Sequence, residues 1–241
     1  MKRLLLQILT ALTLSVMLGG LAWVLYGAEL TRCHTVEVLG NAQADALQIR
    51  HLANVALGTP LVSVDLAGAV RGAERHPWVA RAQARRAFPD RVILSVQERI
   101  PTALLLLDKL YLVDETGHVF RQAKGVTLDL PVLTGIPESF ATEQPDLARQ
   151  IIRGGLSALS AASAGAPGAP GKISAKEVSE VRFDTRSGYV LVLRNGGEVL
   201  LGFSPDVALP KLARLARQGV DLTSPLRIDL GSPQLAVVTP L

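Results

Sequence analysis

The chain has one cysteine, Cys33, in 241 residues. No disulfide can close within it, so an exported fold would rest on packing alone. Aromatic residues make up 4% of the sequence, too few for a surface that stacks bases. An excess of one charge is also missing. There are 25 Lys and Arg against 21 Asp and Glu, and without Lys2 and Arg3 the remainder carries a net +2. That balance argues against a nucleic-acid partner. The four histidines, His34, His51, His76 and His118, are dispersed and form no His-x-x-x-His pair, and one cysteine cannot build a thiolate zinc site.

Catalytic signatures are equally scarce. No Gly-x-Ser-x-Gly elbow occurs. Asp114 and Glu115 are adjacent carboxylates, but turn chemistry before Gly117 explains them more simply than acid catalysis. Gly171-Lys172 ends a glycine-rich stretch, yet a phosphate loop needs glycine where Ala166 stands and a hydroxyl where Ile173 stands. No enzyme, cofactor or metal is expected.

What the sequence does have is apolar length in one place. Residues 4–28 carry no charge. Residues 4–26 would make a helix of about 34 Å, enough for a hydrocarbon layer of about 30 Å. A cleaved signal peptide is the competing reading, with Met1-Lys2-Arg3 as its basic region and Gly20-Leu21-Ala22 as a small-residue cleavage site. Its apolar region should stop sooner, whereas Trp23 and Tyr26 extend this one and suit a membrane interface. An uncleaved anchor is expected. Lys2 and Arg3 place residues 1–3 in the cytoplasm, Glu29 and Arg32 nearly cancel, and the bulk lies outside.

Beyond the anchor, periodicity predicts β-α-α-β-β. Residues 35–39 alternate as a strand that ends at Gly40-Asn41. Ile49, Leu52, Ala53 and Ala56 make a helical stripe closed by Gly58, and Asp65 caps a second helix carrying Leu66, Ala69, Val70 and Ala73. Pro77 stops that helix at His76. Ala80, Ala82 and Ala84 then share one strand face, Pro89-Asp90 turns, and Val92, Leu94 and Val96 line the return strand. Trp78 reads as a core anchor and His76 as a helix-terminal residue. Arg81, Arg85, Arg86, Arg91 and Arg99 read as a solvated sheet face, with lipid contact as the alternative.

After Pro101 short strands follow at residues 102–107 and 110–113, then a helix with Ala148, Ile152, Leu156 and Leu159, weakened by Gly154-Gly155. Residues 164–172 read as a flexible loop. Strands at 178–184, 189–194 and 198–203 form a meander, the last two joined by Asn195-Gly196. A helix with Ala208, Leu212 and Leu215 ends before Gly219, and Leu226, Ile228 and Leu230 alternate as a late strand, which residues 235–238 extend or follow.

The ordered motifs Val38-Leu39-Gly40-Asn41, His76-Pro77-Trp78-Val79, Gln97-Glu98-Arg99-Ile100-Pro101, Leu112-Val113-Asp114-Glu115-Thr116-Gly117 and Leu130-Pro131-Val132-Leu133-Thr134-Gly135 resemble the bacterial cell-division family FtsQ/DivIB. Later pieces, Lys211-Leu212 and Ile228-Asp229-Leu230, fit the same pattern. The resemblance implies an α+β chain: cytoplasmic residues 1–3, a transmembrane helix 4–26, a linker 27–33, a βααββ POTRA-type domain 34–100, and a β-rich partner-binding domain with flanking helices, 101–241. It further implies a non-catalytic divisome scaffold at the septum of the cytoplasmic membrane, with the small coiled-coil proteins FtsB and FtsL and the septal wall synthase as partners. A POTRA-bearing transport or outer-membrane assembly factor, and a membrane-anchored cell-wall hydrolase, are the alternatives.

A scaffold of this kind is expected to bind by strand addition, in which a peptide pairs with unpaired N–H and C=O groups of an edge strand. The resemblance places that edge in the second domain. Leu226, Ile228, Leu230, Leu235 and Val237 are the expected contacts, with Arg227 and Asp229 as charged specificity points, or else these aliphatics close the core. Gly231-Ser232-Pro233 departs from the family pattern, in which many relatives carry a basic residue, and Pro233 would interrupt the strand.

Overall fold

The computed structural model describes residues 2–27, 31–125, 128–163, 173–174, 176–221, 224–232 and 235–241, and in the first helix the side chains of residues 7–24. The chain divides into two compact units, Met1–Arg99 and Ile100–Leu241. The glycine-rich residues 164–172 and Pro233, for which the sequence predicts a flexible loop and a strand break, lie outside the described residues.

Helix α1 (Lys2–Gly27) is 26 residues long, about 39 Å at 1.5 Å per residue. Its segment Gln7–Val24 is long and apolar enough to cross a membrane, and none of it is buried. Ile8, Leu12, Val16 and Leu21 are all exposed.

The rest of the first unit is a three-stranded sheet under two short helices. Strand β1 (Thr35–Leu39) runs parallel to β3 (Arg91–Glu98), which pairs antiparallel with β2 (Val79–Ala87), giving the order β1-β3-β2. Helices α2 (Ala46–Ala53) and α3 (Leu66–Ala73) begin where aspartates cap them. Asp45 accepts from the Leu47 N–H and Asp65 from the Gly68 N–H. Val92, Leu94 and Val96 are buried beneath them, as are Ile49, Ala69, Ala73 and Trp78. The alternation in β2 slips at a bulge between Val79 and Arg81, so Val79 and Ala82 both face inward. Helix α2 is shorter than the apolar stripe predicts. Asn54 adopts a left-handed conformation (φ 48°) and its N–H closes on Arg50 and His51 carbonyls, leaving Ala56 outside the helix. Gly72 explains how close the helices lie, since a Cβ there would stand 2.1 Å from the Leu52 carbonyl oxygen.

Glu98, at the end of β3, ties the β1–α2 loop to the sheet. Its carboxylate accepts from the Ala42, Ala44 and Gln43 N–H groups at 2.7, 2.8 and 2.9 Å. Burial pushes this carboxyl up, but the three backbone donors, with His76 nearby, hold it below the ordinary glutamate value of 4.5. A depressed carboxyl stabilises the fold fully above its unfolded pKa and loses that contribution as pH falls through its folded one. Glu98→Gln should therefore lower first-unit stability by about 1–2 kcal/mol at neutral pH. It should also flatten the acid limb below about pH 4.5 in a denaturation series. An unchanged acid limb would remove Glu98 from this role.

The second unit is one nine-stranded sheet, in the order β12-β11-β10-β9-β8-β7-β4-β5-β6. Its first strands are β4 (Pro101–Leu106), β5 (Leu110–Asp114), β6 (Val119–Gln122) and β7 (Val132–Thr134). After the helices α4 (Glu138–Glu143) and α5 (Pro145–Ser163) come β8 (Val178–Asp184), β9 (Gly188–Leu193) and β10 (Glu198–Gly202), then α6 (Pro205–Arg217), β11 (Leu226–Asp229) and β12 (Val237–Pro240). The meander β8-β9-β10 is the sheet's centre. Helices α5 and α6 cover one face, where Leu105, Leu133, Val181, Leu191, Leu201 and Leu212 share a core.

Gly154-Gly155 costs helix propensity but serves the packing of α5. The Tyr189 ring stands where a Gly154 side chain would be, with a Cβ only 2.0 Å from its hydroxyl oxygen. That hydroxyl donates to the Ile151 carbonyl at 3.1 Å. The α5 stripe Ala148, Ile152, Leu156 and Leu159 is buried throughout.

Candidate functional site

Chemistry-bearing clusters are scarce among the described residues. No three of His, Cys, Asp and Glu converge there as a metal site. Asp114 is buried and accepts from the Thr116 N–H, the Thr116 hydroxyl and the His118 N–H at 2.9, 2.6 and 3.0 Å, which is turn chemistry. His76 sits against Gln48 with its Nε2 3.2 Å from the amide oxygen. Cys33 is fully buried, and burial pushes its thiol up. The site with most to offer a partner is a strip of backbone.

That strip is built by β10, α6 and β11. Helix α6 starts with Pro205 and Asp206 in its first turn and ends with Arg214 and Arg217 in its last, in keeping with the helix dipole. Ala208 and Leu212 seat it on the sheet, and it carries the chain across so that β11 lies parallel to β10. Asp229 then accepts from the Gly231 N–H at 2.9 Å, turning the chain. Lys211 reaches from α6 to donate to the Leu230 carbonyl at 3.1 Å and to that of Ser232. Strand β12 returns antiparallel to β11, pairing Ile228 with Val238 and Arg227 with Thr239.

The sheet has two edges, β12 and β6. Strand β6 buries Phe120 and half-buries Val119 and Gln122. All four residues of β12 are exposed. The Leu241 N–H donates to the Pro225 carbonyl at 3.1 Å, and bonded pairs alternate along an antiparallel ladder. Thr239 and Val237 therefore bond inward to β11, while Val238 and Pro240 aim their backbone groups away from the sheet. Proline has no N–H. Val238 is the one residue of β12 that offers both a donor and an acceptor outward.

The side chains expected at this edge separate into two groups. Ile228 and Leu230 are 2% and 1% exposed and belong to the core, so these two close the sheet against α6 and are not edge contacts. Leu226 is half-buried against the same core. Leu235 and Val237 are exposed, 68% and 58%, on or beside β12. Arg227 and Asp229 lie on the sheet face away from the helices, next to Thr239 and Val237. Arg227 ends a charge ladder in which Glu198 meets Arg182 at 2.8 Å and Arg227 at 4.0 Å. The Glu198 carboxylate pushes the Arg182 guanidinium up despite opposing burial.

Thr239, Pro240 and the exposed Leu241 lie beyond residues 235–238, where periodicity stops, and Val238 is not among the contacts it predicts, because two adjacent valines and a proline do not alternate. Pro240 is itself the signal that finds them, since proline within a sheet belongs at an edge. At the other end of the chain Trp23 is 80% exposed near the end of α1, and the Tyr26 side chain lies outside the described residues.

Two family models match the chain. Residues 31–99 match "POTRA domain, FtsQ-type", and residues 104–231 match "Cell division protein FtsQ/DivIB, C-terminal". The chain is 34% identical over 185 residues to the cell division protein FtsQ of Myxococcus fulvus, covering 76% of this chain and 63% of that protein. It is 35% identical over 206 residues to that of Anaeromyxobacter sp., covering 83% and 67%. Over 195 residues it is 31% identical to that of Syntrophotalea carbinolica, covering 80% and 67%. The chain thus spans about two thirds of the length of these curated relatives.

Proposed function

We propose that this chain, which belongs to the FtsQ/DivIB family of cell-division proteins, is a membrane-anchored, non-catalytic scaffold that gathers division proteins by strand addition at β12. The family supplies the division role. The supporting observation for the mechanism is the outward row of β12, where a donor and acceptor at Val238 stand between exposed Val237 and Leu241. An incoming strand pairs with that backbone and lays alternate side chains on either face of the sheet. On the helix-free face it meets Arg227 and Asp229, a positive and a negative group in adjacent register positions, which favour partners with complementary charge.

The partners proposed are the small coiled-coil proteins FtsB and FtsL, with the septal wall synthase linked through them. Helix α1 spans the cytoplasmic membrane at the septum, with Lys2 and Arg3 inside and both folded units outside. The domain limits proposed are 34–100 for the POTRA-type domain and 101–241 for the partner-binding domain.

A photo-crosslinking amino acid at Val237 of the full chain in dividing cells tests this reading. It should yield a light-dependent adduct with a small division protein, and the same probe at Arg186, in the β8–β9 turn, should not. Adducts at Arg186 and none at Val237 would move the interface off β12.

A further inference from the structure

Among the described residues outside α1, the first unit exposes five large apolar side chains, Leu39 and Leu47 on either side of the β1–α2 loop and three others: Phe88 at 65%, Leu57 at 61% and Val62 at 49%. Of these three, Phe88 is distant in sequence from Leu57 and Val62, yet hydrogen bonds bring the two loops to one end of the domain. The Cys33 N–H donates to the Thr59 carbonyl and the Gly58 N–H to the Cys33 carbonyl, both at 2.8 Å. The His34 N–H donates to the Asp90 carbonyl, also at 2.8 Å, in the turn that carries Phe88. Arg86 closes the circle, donating to the Leu61 and Val62 carbonyls at 2.8 and 3.0 Å. Phe88, Leu57 and Val62 therefore surround the segment 31–34, where the chain joins the domain.

That segment is tethered to α1, which ends at Gly27. Three residues separate Gly27 from Thr31, and the four steps between them reach at most about 14 Å. With α1 across the bilayer, this end of the domain cannot leave the neighbourhood of the headgroups, a layer roughly 5–8 Å deep on each side. We infer that the Phe88 turn and the Leu57–Val62 loop form a second, peripheral membrane contact, inserting into the bilayer interface beside the anchor. The inference rests on the reading of α1 as a membrane span.

The contact is apolar in character. Arg91, on the strand leaving the turn, is already matched by Glu37 at 3.7 Å and Asp90 at 3.8 Å. Insertion of apolar side chains, rather than attraction to anionic lipid, drives it, so zwitterionic vesicles suffice and added salt does not release it. Such a contact would fix the tilt of the first unit at the membrane surface.

The buried Cys33 lets a single new thiol be labelled selectively. The full chain is reconstituted in phosphatidylcholine vesicles with an environment-sensitive fluorophore at Phe88→Cys, Leu57→Cys, Leu47→Cys or Val16→Cys, and quenched by lipids spin-labelled high on the acyl chain for 88, 57 and 47 and deep on it for 16, which lies near the middle of α1. Leu47 is the control. It is 66% exposed but sits at the opposite end, at the start of α2 beside the loop that Glu98 holds. The labels at 88 and 57 should be quenched several-fold more than the one at 47, equally at low and high salt, and Phe88→Ser should reduce the quenching at 57. Quenching at 88 and 57 no stronger than at 47, with Val16→Cys strongly quenched, would overturn the inference while leaving the span intact. A Val16→Cys label that escapes quenching would overturn the span, and the inference with it.

Discussion

Replacing Ile228 with glutamate is expected to unfold the second unit and leave the first one folded. Ile228 is 2% exposed and packs with Val199, Leu201, Leu212 and Leu230 in the core under α6. A carboxylate there has no partner and no water, and either the charge or its neutralisation costs more than about 4 kcal/mol. Domain stabilities are only about 5–15 kcal/mol, so such a loss removes most or all of it. Leu230→Glu should behave alike, while Ile228→Val should cost about 0.5–1.5 kcal/mol. Denaturation followed by limited proteolysis reads the result, with residues 1–99 surviving as a resistant fragment. A fully stable Ile228→Glu protein would contradict the burial of β11. A charged residue at 228 or 230 that abolishes partner capture therefore says nothing about an interface, because the sheet that carries the interface is gone.

The second large effect is expected from Val238→Pro. The ring replaces the outward N–H of β12 and sets its bulk where a partner strand would lie. Val238 is already 37% exposed, and its inward neighbours Val237 and Thr239 keep their bonds to β11. Stability should thus change by about 1 kcal/mol or less, while a pairing acceptor in the partner loses its donor. Partner affinity should fall roughly 10- to 100-fold, about 1.4–2.8 kcal/mol. Val238→Thr, which keeps the N–H, should bind like the native chain. Equal loss by both variants would show that side-chain packing, not backbone pairing, carries the contact.

How far the sequence discloses this architecture follows from where its signals are local. In the first unit the Asp65 cap, the proline that follows α3 and the apolar rows of β3 are all short-range signals, and the βααββ order follows from them, although α3 already ends at Ala73, before the His76 at which Pro77 is expected to stop it. The second unit depends on pairings that are distant in sequence. Strand β7 has three residues and lies between β4 and β8 through parallel ladders, so no hairpin signal marks it. The joining of β4–β6 to the meander in one sheet rests on that strand. The same limit applies to the candidate site. Alternation in Leu226, Ile228 and Leu230 identifies a strand but not whether another strand covers it, and β12 does cover it. Val237 and Leu235 remain exposed because they belong to the covering strand and its approach. The Gly154-Gly155 pair weakens a helix by propensity and fits it by packing, which only the position of Tyr189 explains.

Amide hydrogen exchange across residues 235–241, in the full membrane-anchored chain with and without its division partners, tests strand addition at β12 most directly. The account predicts that the Val238 amide, exposed to solvent in the free chain, becomes protected in the complex, and that β6 at the other edge does not change. Protection elsewhere in the second unit with residues 235–241 still exchanging freely would contradict it.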